Sequence, residues 1–309
     1  MSNLCDAVGL CVPYGKAQTQ FQTHFEPASG TIWGYFAPKS TPCFSLGLLK
    51  DIRLHDSALA VNGGKVEVDG ELRAANFYVC ASRTPGVFNL GGDLALFALL
   101  IKARDRDALA AYARLCIDNM HARIQNYYAP ALVTISLVQG DALGGGFECA
   151  LSSDVIVAEK SAAMGLPEIL FNLFPGMGAY SLLARRIGPR AAEELILSGK
   201  LVSAAKMQEL GLVDVLAEDG EGEAAVRAWI AKNWKRRNGL QGVLRARQIV
   251  NPITRQELDA VAEAWVEAAL RLEERDLRIV SMLVRAQQRR LDPVRPAGGE
   301  LMLPAVAAL

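Results

Sequence analysis

Four short apolar runs restrict what this chain can fold into. Thr31-Ile-Trp-Gly-Tyr-Phe-Ala37 stops at Pro38. Phe77-Tyr-Val-Cys-Ala-Ser82, Ala131-Leu-Val-Thr-Ile-Ser-Leu-Val-Gln139 and Asp154-Val-Ile-Val-Ala158 are bounded by glycine, proline or polar residues. Such runs suit strands buried on both faces. Between the second and third runs, Leu109, Tyr112, Leu115, Cys116 and Met120 keep the three-four spacing of an amphipathic helix. Strands alternating with helices imply an α/β architecture. With 309 residues, 51% of them hydrophobic, the chain can bury a large core as one large domain or two smaller ones.

After Val215 the pattern becomes helical, over 222–237, 240–250, 254–272 and 275–290. Thr254 with Glu257 reads as a capping box ahead of the stripe Leu258, Val261, Trp265 and Leu272. The expected organisation is an N-terminal extension over 1–28, a core over 29–237, a C-terminal helical region over 238–292 and an irregular tail over 293–309. No internal repeat is visible.

Charge and composition exclude several classes. Lys+Arg and Asp+Glu both number 33, so no field of the whole molecule draws nucleic acid or a membrane surface. No apolar run has the length of a transmembrane helix. The start, Met1-Ser-Asn-Leu-Cys-Asp, lacks positive charge and makes a poor signal peptide, so a cytoplasmic location is expected. The six cysteines (5, 11, 43, 80, 116 and 149) form no CxxC pair and are expected to stay reduced. His24, His55 and His121 are far apart in sequence, so no metal site is expected.

The chemistry-bearing residues cluster at turns. Gly144-Gly-Gly146 follows a strand and precedes a helix starting near Phe147. It reads either as a tight turn or as a place where free N–H groups meet a developing oxyanion. It is neither a phosphate loop nor a dinucleotide fingerprint. Phe88-Asn-Leu-Gly-Gly-Asp93 is a second strand-to-helix turn, with Asp93 placed to cap a helix over Leu94 to Ile101. Glu148 falls in the first turn of one helix. Glu168 follows Pro167 at the head of an apolar stretch. Each alone is ordinarily a cap. Two glycine turns, two glutamates and Phe174-Pro-Gly-Met-Gly178 opening a further helix suggest acid–base work beside a carbonyl.

In these motifs the chain resembles the crotonase (enoyl-CoA hydratase/isomerase) superfamily. The matching residues are Phe88 to Leu94, Gly140 to Glu148, Asp154 to Ala158, Leu166-Pro-Glu-Ile169 and Pro175-Gly-Met-Gly178. Ile187-Gly188, Leu197-Ser-Gly199 and Leu210-Gly-Leu-Val-Asp214 continue the match. The resemblance implies a spiral of βαβ units with a C-terminal helical region, assembled as trimers or multiples of them. It implies oxyanion donors at Gly92 and Gly145, an acid–base pair at Glu148 and Glu168, and no cofactor. Phe88, Leu143, Met177 and Trp265 are expected to line the substrate site, although a helical aromatic such as Trp265 is more often core.

Where hydratases carry an Arg-Pro and an Asn-Ala-Leu segment, this chain reads Ala37-Pro-Lys-Ser-Thr-Pro-Cys-Phe-Ser-Leu46. That segment, the long C-terminal helices and the N-terminal extension resemble the diffusible signal factor synthases. By that resemblance the expected reaction is dehydration of a medium-chain 3-hydroxyacyl group on acyl carrier protein. Thioester hydrolysis would follow, giving a cis-2-unsaturated fatty acid signal. The implied partners are the carrier protein and the receiver domain of a cognate sensor kinase. An ordinary enoyl-CoA hydratase/isomerase and a non-catalytic crotonase-like binding protein are the alternatives. Lys232, Lys235, Arg236 and Arg237, beside Trp229 and Trp234, read as a solvated helix end or as a contact for an acidic carrier protein.

Overall fold

A computed structural model describes residues 20–289. The expected irregular tail, Cys5 and Cys11 lie outside them. The described chain runs β1 (Phe21–Glu26), β2 (Thr31–Phe36), α1 (Leu46–Val61), the hairpin β3 (Lys65–Val68) and β4 (Glu71–Ala74), β5 (Phe77–Ser82) and β6 (Gly86–Asn89). Then come α2 (Leu94–Ala103), α3 (Arg106–Ile124), β7 (Val133–Val138), β8 (Gly140–Leu143), α4 (Gly145–Leu151), β9 (Val155–Glu159), β10 (Ala163–Gly165) and a 3-10 turn at Pro167–Phe171. After these follow α5 (Ala179–Ile187), α6 (Pro189–Ser198), β11 (Leu201–Ser203), α7 (Ala204–Glu209) and β12 (Val215–Ala217). Four helices end it: α8 (Gly222–Trp234), α9 (Arg237–Val250), α10 (Arg255–Ala269) and α11 (Glu274–Arg289).

Successive turns of this chain feed two sheets. The larger has the order β1-β2-β5-β7-β9-β12 and the smaller β11-β10-β8-β6. Thus β5 is followed by β6, β7 by β8 and β9 by β10, each pair placing one strand in each sheet. From β2 to β12 the large sheet is parallel, and β6, β8 and β10 are parallel in the small one. The result is the expected βαβ spiral.

The apolar runs form strands because both faces of the large sheet are covered. Every residue of β2, β5 and β7 is buried. Trp33, Phe77, Val79 and Ile135 face Val226 and Ile230 of α8, while Ile32, Tyr78, Cys80 and Ile156 face the main core. The basic cluster sits on the α8 side, where Arg237 stacks 4.4 Å over Trp234 and Trp234 lies 6.3 Å from Phe77. Among the described residues no helix is long and apolar enough to cross a membrane.

Several expectations change. Residues 21–26, read as part of an extension without periodicity, form β1, antiparallel to β2. The strand is at the sheet edge and only Phe21 is fully buried, so it carries no clear alternation. Helix α1 had no expected counterpart, because His55 and Asp56 interrupt its buried apolar face. Thr254 caps α10 by accepting from the Glu257 N–H at 3.1 Å, but the Glu257 carboxylate pairs with Arg185 instead of closing the box. Leu272 lies beyond the end of α10, whose buried face is Leu258, Ala262, Trp265, Val266 and Ala269.

Asp154 pins the start of β9. Its Oδ2 accepts from the Thr134 N–H at 3.0 Å, the Thr134 hydroxyl at 3.1 Å and the Asn126 amide, and its Oδ1 accepts from Arg247 at 2.7 Å. Asp154→Ala leaves the buried Thr134 donor without an acceptor. It should cost about 3 kcal/mol, the desolvation penalty of such a group with lost charged hydrogen bonds, measured as a shift in the urea unfolding midpoint.

Candidate active site

The small sheet assembles the site. Gly91 and Gly92 follow β6, Gly144 and Gly145 follow β8, and Glu168 follows β10; these three strands are neighbours with β8 in the middle. Parallel strands present their carboxyl ends on one side, the side where ligands bind in α/β folds.

The two glycine turns touch. Gly91 has φ +88, and a Cβ there would lie 2.6 Å from the Leu143 carbonyl and 3.0 Å from the Gly145 nitrogen. Only glycine permits that approach. A Cβ built on Gly145 would lie 3.6 Å from the Gly92 nitrogen. The two N–H groups are therefore adjacent, and no acceptor among the described residues takes either one. Asn89 holds the first turn by accepting from the Gly91 N–H at 2.8 Å. Phe44 donates its N–H to the Gly91 carbonyl at 2.7 Å, and the Tyr112 hydroxyl donates to the Phe44 carbonyl at 2.6 Å. Thus the divergent segment around Cys43 buttresses the donor turn. Sequence reasoning missed Asn89 and Tyr112 as supports. The Asn-x-Gly-Gly spacing was the available sign of Asn89, whereas nothing local marked Tyr112.

Both glutamates reach the same turn. Glu148 is one helical turn into α4 and 1% exposed. Its Oε1 accepts from the Met177 and Ala179 N–H groups, each at 2.9 Å. These lie at the N-terminus of α5, where a carboxylate is favoured. Burial is the stronger effect and pushes its pKa up to about 7. The Glu168 carboxylate lies against Gly144, where a Cβ would stand 2.4 Å from Oε1. Glu168 Oε2 is buried with no hydrogen-bond partner among the described residues. Burial first, and the Glu148 charge second, push the Glu168 pKa up to about 8.

Gly92, Gly145, Glu148 and Glu168 all line one cavity, mostly apolar, of about 1330 Å³ including solvent at its mouth. Leu143, Met177 and Trp265 line it too. Trp265 is also firmly packed. It is 3% exposed, its ring lies 5.1 Å from that of Phe97, and it fits against Gly176, where a Cβ would meet it at 2.3 Å. Phe88, expected at the substrate, does not line the cavity. It is fully buried in the core, 5.4 Å from the cavity-lining Phe36 ring to ring, at the point where the β6–β8 ladder shifts register. Lys232, Lys235, Arg236 and Arg237 do not line the cavity either. Among the described residues no cluster of three or more His, Cys, Asp or Glu side chains could hold a metal.

A βαβ spiral that brings two glycine turns and two buried carboxylates into one cavity defines a crotonase-type protein. The family model for enoyl-CoA hydratase/isomerase matches residues 66–264, and the chain belongs to that family. It is 36% identical over 157 residues to the mitochondrial enoyl-CoA hydratase domain-containing protein 2 of Bos taurus, covering 50% of each protein. The chain thus spans about half the length of the curated relatives it matches. The solved enoyl-CoA hydratase of Bacillus halodurans superposes with a TM-score of 0.68 at 17% identity, over 87% of this chain and 100% of that one. Pseudomonas aeruginosa DspI superposes with a TM-score of 0.63 at 23% identity, over 87% of this chain and 97% of that one. At these identities the two structures share the fold.

Two predictions follow from the geometry. In Glu148→Gln the Coulombic push on Glu168 is removed, so Glu168 should titrate below its wild-type value of about 8, yet still above an ordinary carboxylate because burial persists. Carboxyl-carbon NMR titration reads this directly. The same raised pKa values mean that unfolding releases protons between the unfolded value near 4.5 and about 8. Wild-type stability should therefore fall as pH rises through that window, more steeply than in the Gln variants.

Gly145 opens α4, where proline is tolerated. Gly145→Ala adds a Cβ in ordinary contact and keeps the N–H, while Gly145→Pro removes it. The proline variant should lose about 10²–10³-fold in kcat relative to the alanine variant. Gly92 offers no such comparison, because its Cβ would meet the Phe97 ring at 2.6 Å.

Proposed function

We propose that this protein dehydrates medium-chain 3-hydroxyacyl thioesters carried on acyl carrier protein and then hydrolyses the thioester, releasing a cis-2-unsaturated fatty acid. The observation that supports the chemistry is the pair of buried glutamates beside two adjacent, unpaired N–H groups in an apolar cavity.

Glu168 lies against the donor turn and is assigned the proton on C2. The thioester oxygen receives the N–H groups of Gly92 and Gly145, which stabilise the enolate formed when that proton leaves. Glu148 gives its proton to the C3 hydroxyl, which departs as water. The pair titrates as a dyad that shares protons around neutral pH. Its one-proton form serves dehydration when the proton is on Glu148 and hydration when it is on Glu168. After dehydration Glu148 is a carboxylate and can activate a water. Attack of that water on the thioester carbonyl, with the same N–H pair holding the oxyanion, expels the carrier thiol.

Hydration of an enoyl-CoA is the second reading, favoured by the family match and by the named activity of the similar hydratases. Two observations weigh toward a carrier-bound substrate. The segment around Cys43 departs from the hydratase pattern, and Pro42 and Phe44 are engaged with the donor turn, each through a hydrogen bond to Leu90 or Gly91. The reading carries with it the acyl carrier protein as donor, a sensor-kinase receiver domain as binding partner and self-association as trimers or multiples of them.

Glu148→Gln and Glu168→Gln should each keep the fold and lower product formation by about 10²–10⁴-fold, the usual worth of a general acid–base step. The assay supplies purified 3-hydroxyacyl chains on carrier protein and, separately, on CoA, and detects the free unsaturated acid by mass spectrometry. Wild-type yield from either folded variant would sink the two-carboxylate mechanism. Enoyl-CoA hydration without free acid would favour the hydratase reading.

A further inference from the structure

The cavity that holds the glutamates is also lined by residues of α1, α3 and β5, which form the three walls of an arm. Helices α1 and α3 both pass the donor turn. Phe44, just ahead of α1, is bonded to Gly91, and Tyr112, nearly two turns into α3, is bonded to the Phe44 carbonyl. Both helices run inward from there. Asn119 of α3 donates to the Leu49 carbonyl of α1 at 3.0 Å and sets their spacing.

Each wall changes character at its inner end. On α1 the lining passes from Leu49 and Ile52 to Asp56. On α3 it passes from Cys116, Met120 and the amide Asn119 to the charged Arg123, and on β5 from Cys80 to Tyr78. Cys116 lies one helical turn beyond Tyr112, which is tied through Phe44 to the donor turn, so depth is counted from Cys116. The polar ends bond to one another and to neighbouring core groups. Tyr78 donates to Asp56 at 3.0 Å, and His55 Nδ1 lies 3.0 Å from the same oxygen. Arg123 donates to the Tyr127 hydroxyl at 3.2 Å, to the Ile135 carbonyl at 3.0 Å and to the Ser153 hydroxyl at 2.8 Å, with its guanidinium 5.3 Å from the Tyr78 ring centre.

We infer that the Asp56–Tyr78–Arg123–Tyr127 cluster is a stop that sets the longest straight acyl chain the cavity accepts. The inference rests on the acyl-thioester reading of this cavity. The cluster meets its own hydrogen-bonding needs, so an alkyl end gains nothing by displacing it, and a longer chain must break bonds to buried charged groups. Seven residues separate Cys116 from Arg123, and Leu49 from Asp56. At about 1.5 Å per helical residue the arm is about 10 Å deep. An extended alkyl chain advances about 1.25 Å per carbon, from a C–C bond of about 1.52 Å. About eight carbons fit beyond C3, so the limit falls at about ten to twelve carbons in all.

The test is binding, which needs no turnover. Saturated straight-chain acyl-N-acetylcysteamine thioesters of six to sixteen carbons are titrated into the full-length protein by calorimetry. Affinity should rise about fourfold per added carbon, the worth of one buried methylene, and stop rising at about ten to twelve carbons. Ile52→Phe, which adds bulk one turn before Asp56, should move that break about three carbons shorter. Met120→Phe should do the same from the opposite wall and stands in if Ile52→Phe does not fold. Affinity still climbing at sixteen carbons, a break unmoved in the folded variants, or no binding of any chain overturns the inference. A clear break in a protein that makes no unsaturated acid would instead reject the dehydratase reading and leave the stop in place.

Discussion

Three short parallel strands hold the whole site. β6, β8 and β10 pair only over two or three residues, with Gly86 opposite Gly140, Ala142 opposite Met164 and Leu143 opposite Gly165. That register makes three separate turns end at one edge. The ladder shifts between Val87 and Asn89, an irregularity of the kind that re-aims a strand beside an active site. Here it turns Asn89 to grip the Gly91 N–H and delivers the Gly92 N–H next to Gly145. Because the contact is backbone against backbone, it tolerates no side chain at Gly91. The turn geometry is therefore set by van der Waals exclusion as much as by hydrogen bonding.

The electrostatics follow from where those turns lie. Two carboxylates share a cavity with few polar atoms, and burial alone raises both pKa values. They differ in what offsets the cost. Glu148 has two N–H donors at the start of α5, whereas Glu168 has an oxygen with no partner among the described residues and a like-charged neighbour. This unequal support separates two chemically identical side chains into different proton affinities, which acid–base catalysis at neutral pH requires. In the proposed reaction, the same apolar walls that raise the pKa values also receive the acyl chain, so substrate binding and catalytic tuning would draw on one feature.

Much of the fold was legible because it rests on local chemistry. The doubly buried strands Phe77–Ser82 and Val133–Val138 were marked by continuous apolar runs, and the caps Asp93 and Thr254 by side-chain type ahead of helical periodicity. The elements that escaped are those whose burial is partial or polar. β1 is an edge strand with one fully buried residue, and α1 buries His55 and Asp56 on its inner face. Glu257 looked like a reciprocal cap, but a bidentate arginine 72 residues away takes its carboxylate. Of the residues expected at the substrate, Phe88 packs in the core without lining the cavity, since its motif shows which turn it belongs to and not where the ladder shifts register.

The sequence by itself determined the α/β spiral and, through its resemblance to one family, pointed to Glu148, Glu168, Gly92 and Gly145, because the motifs that carry the resemblance lie within short segments. Only the tertiary structure decided that the four meet, that Glu148 is gripped by the Met177 and Ala179 N–H groups, and that a buried polar cluster lines the same cavity. The cluster draws Asp56 from α1, Tyr78 from β5, Arg123 from α3 and Tyr127 from the turn after it. Its members are scattered over seventy-two positions, and each taken alone is a polar interruption of an apolar pattern. Their mutual hydrogen bonds, and hence their stability in the interior, exist only once the helices and the sheet have packed.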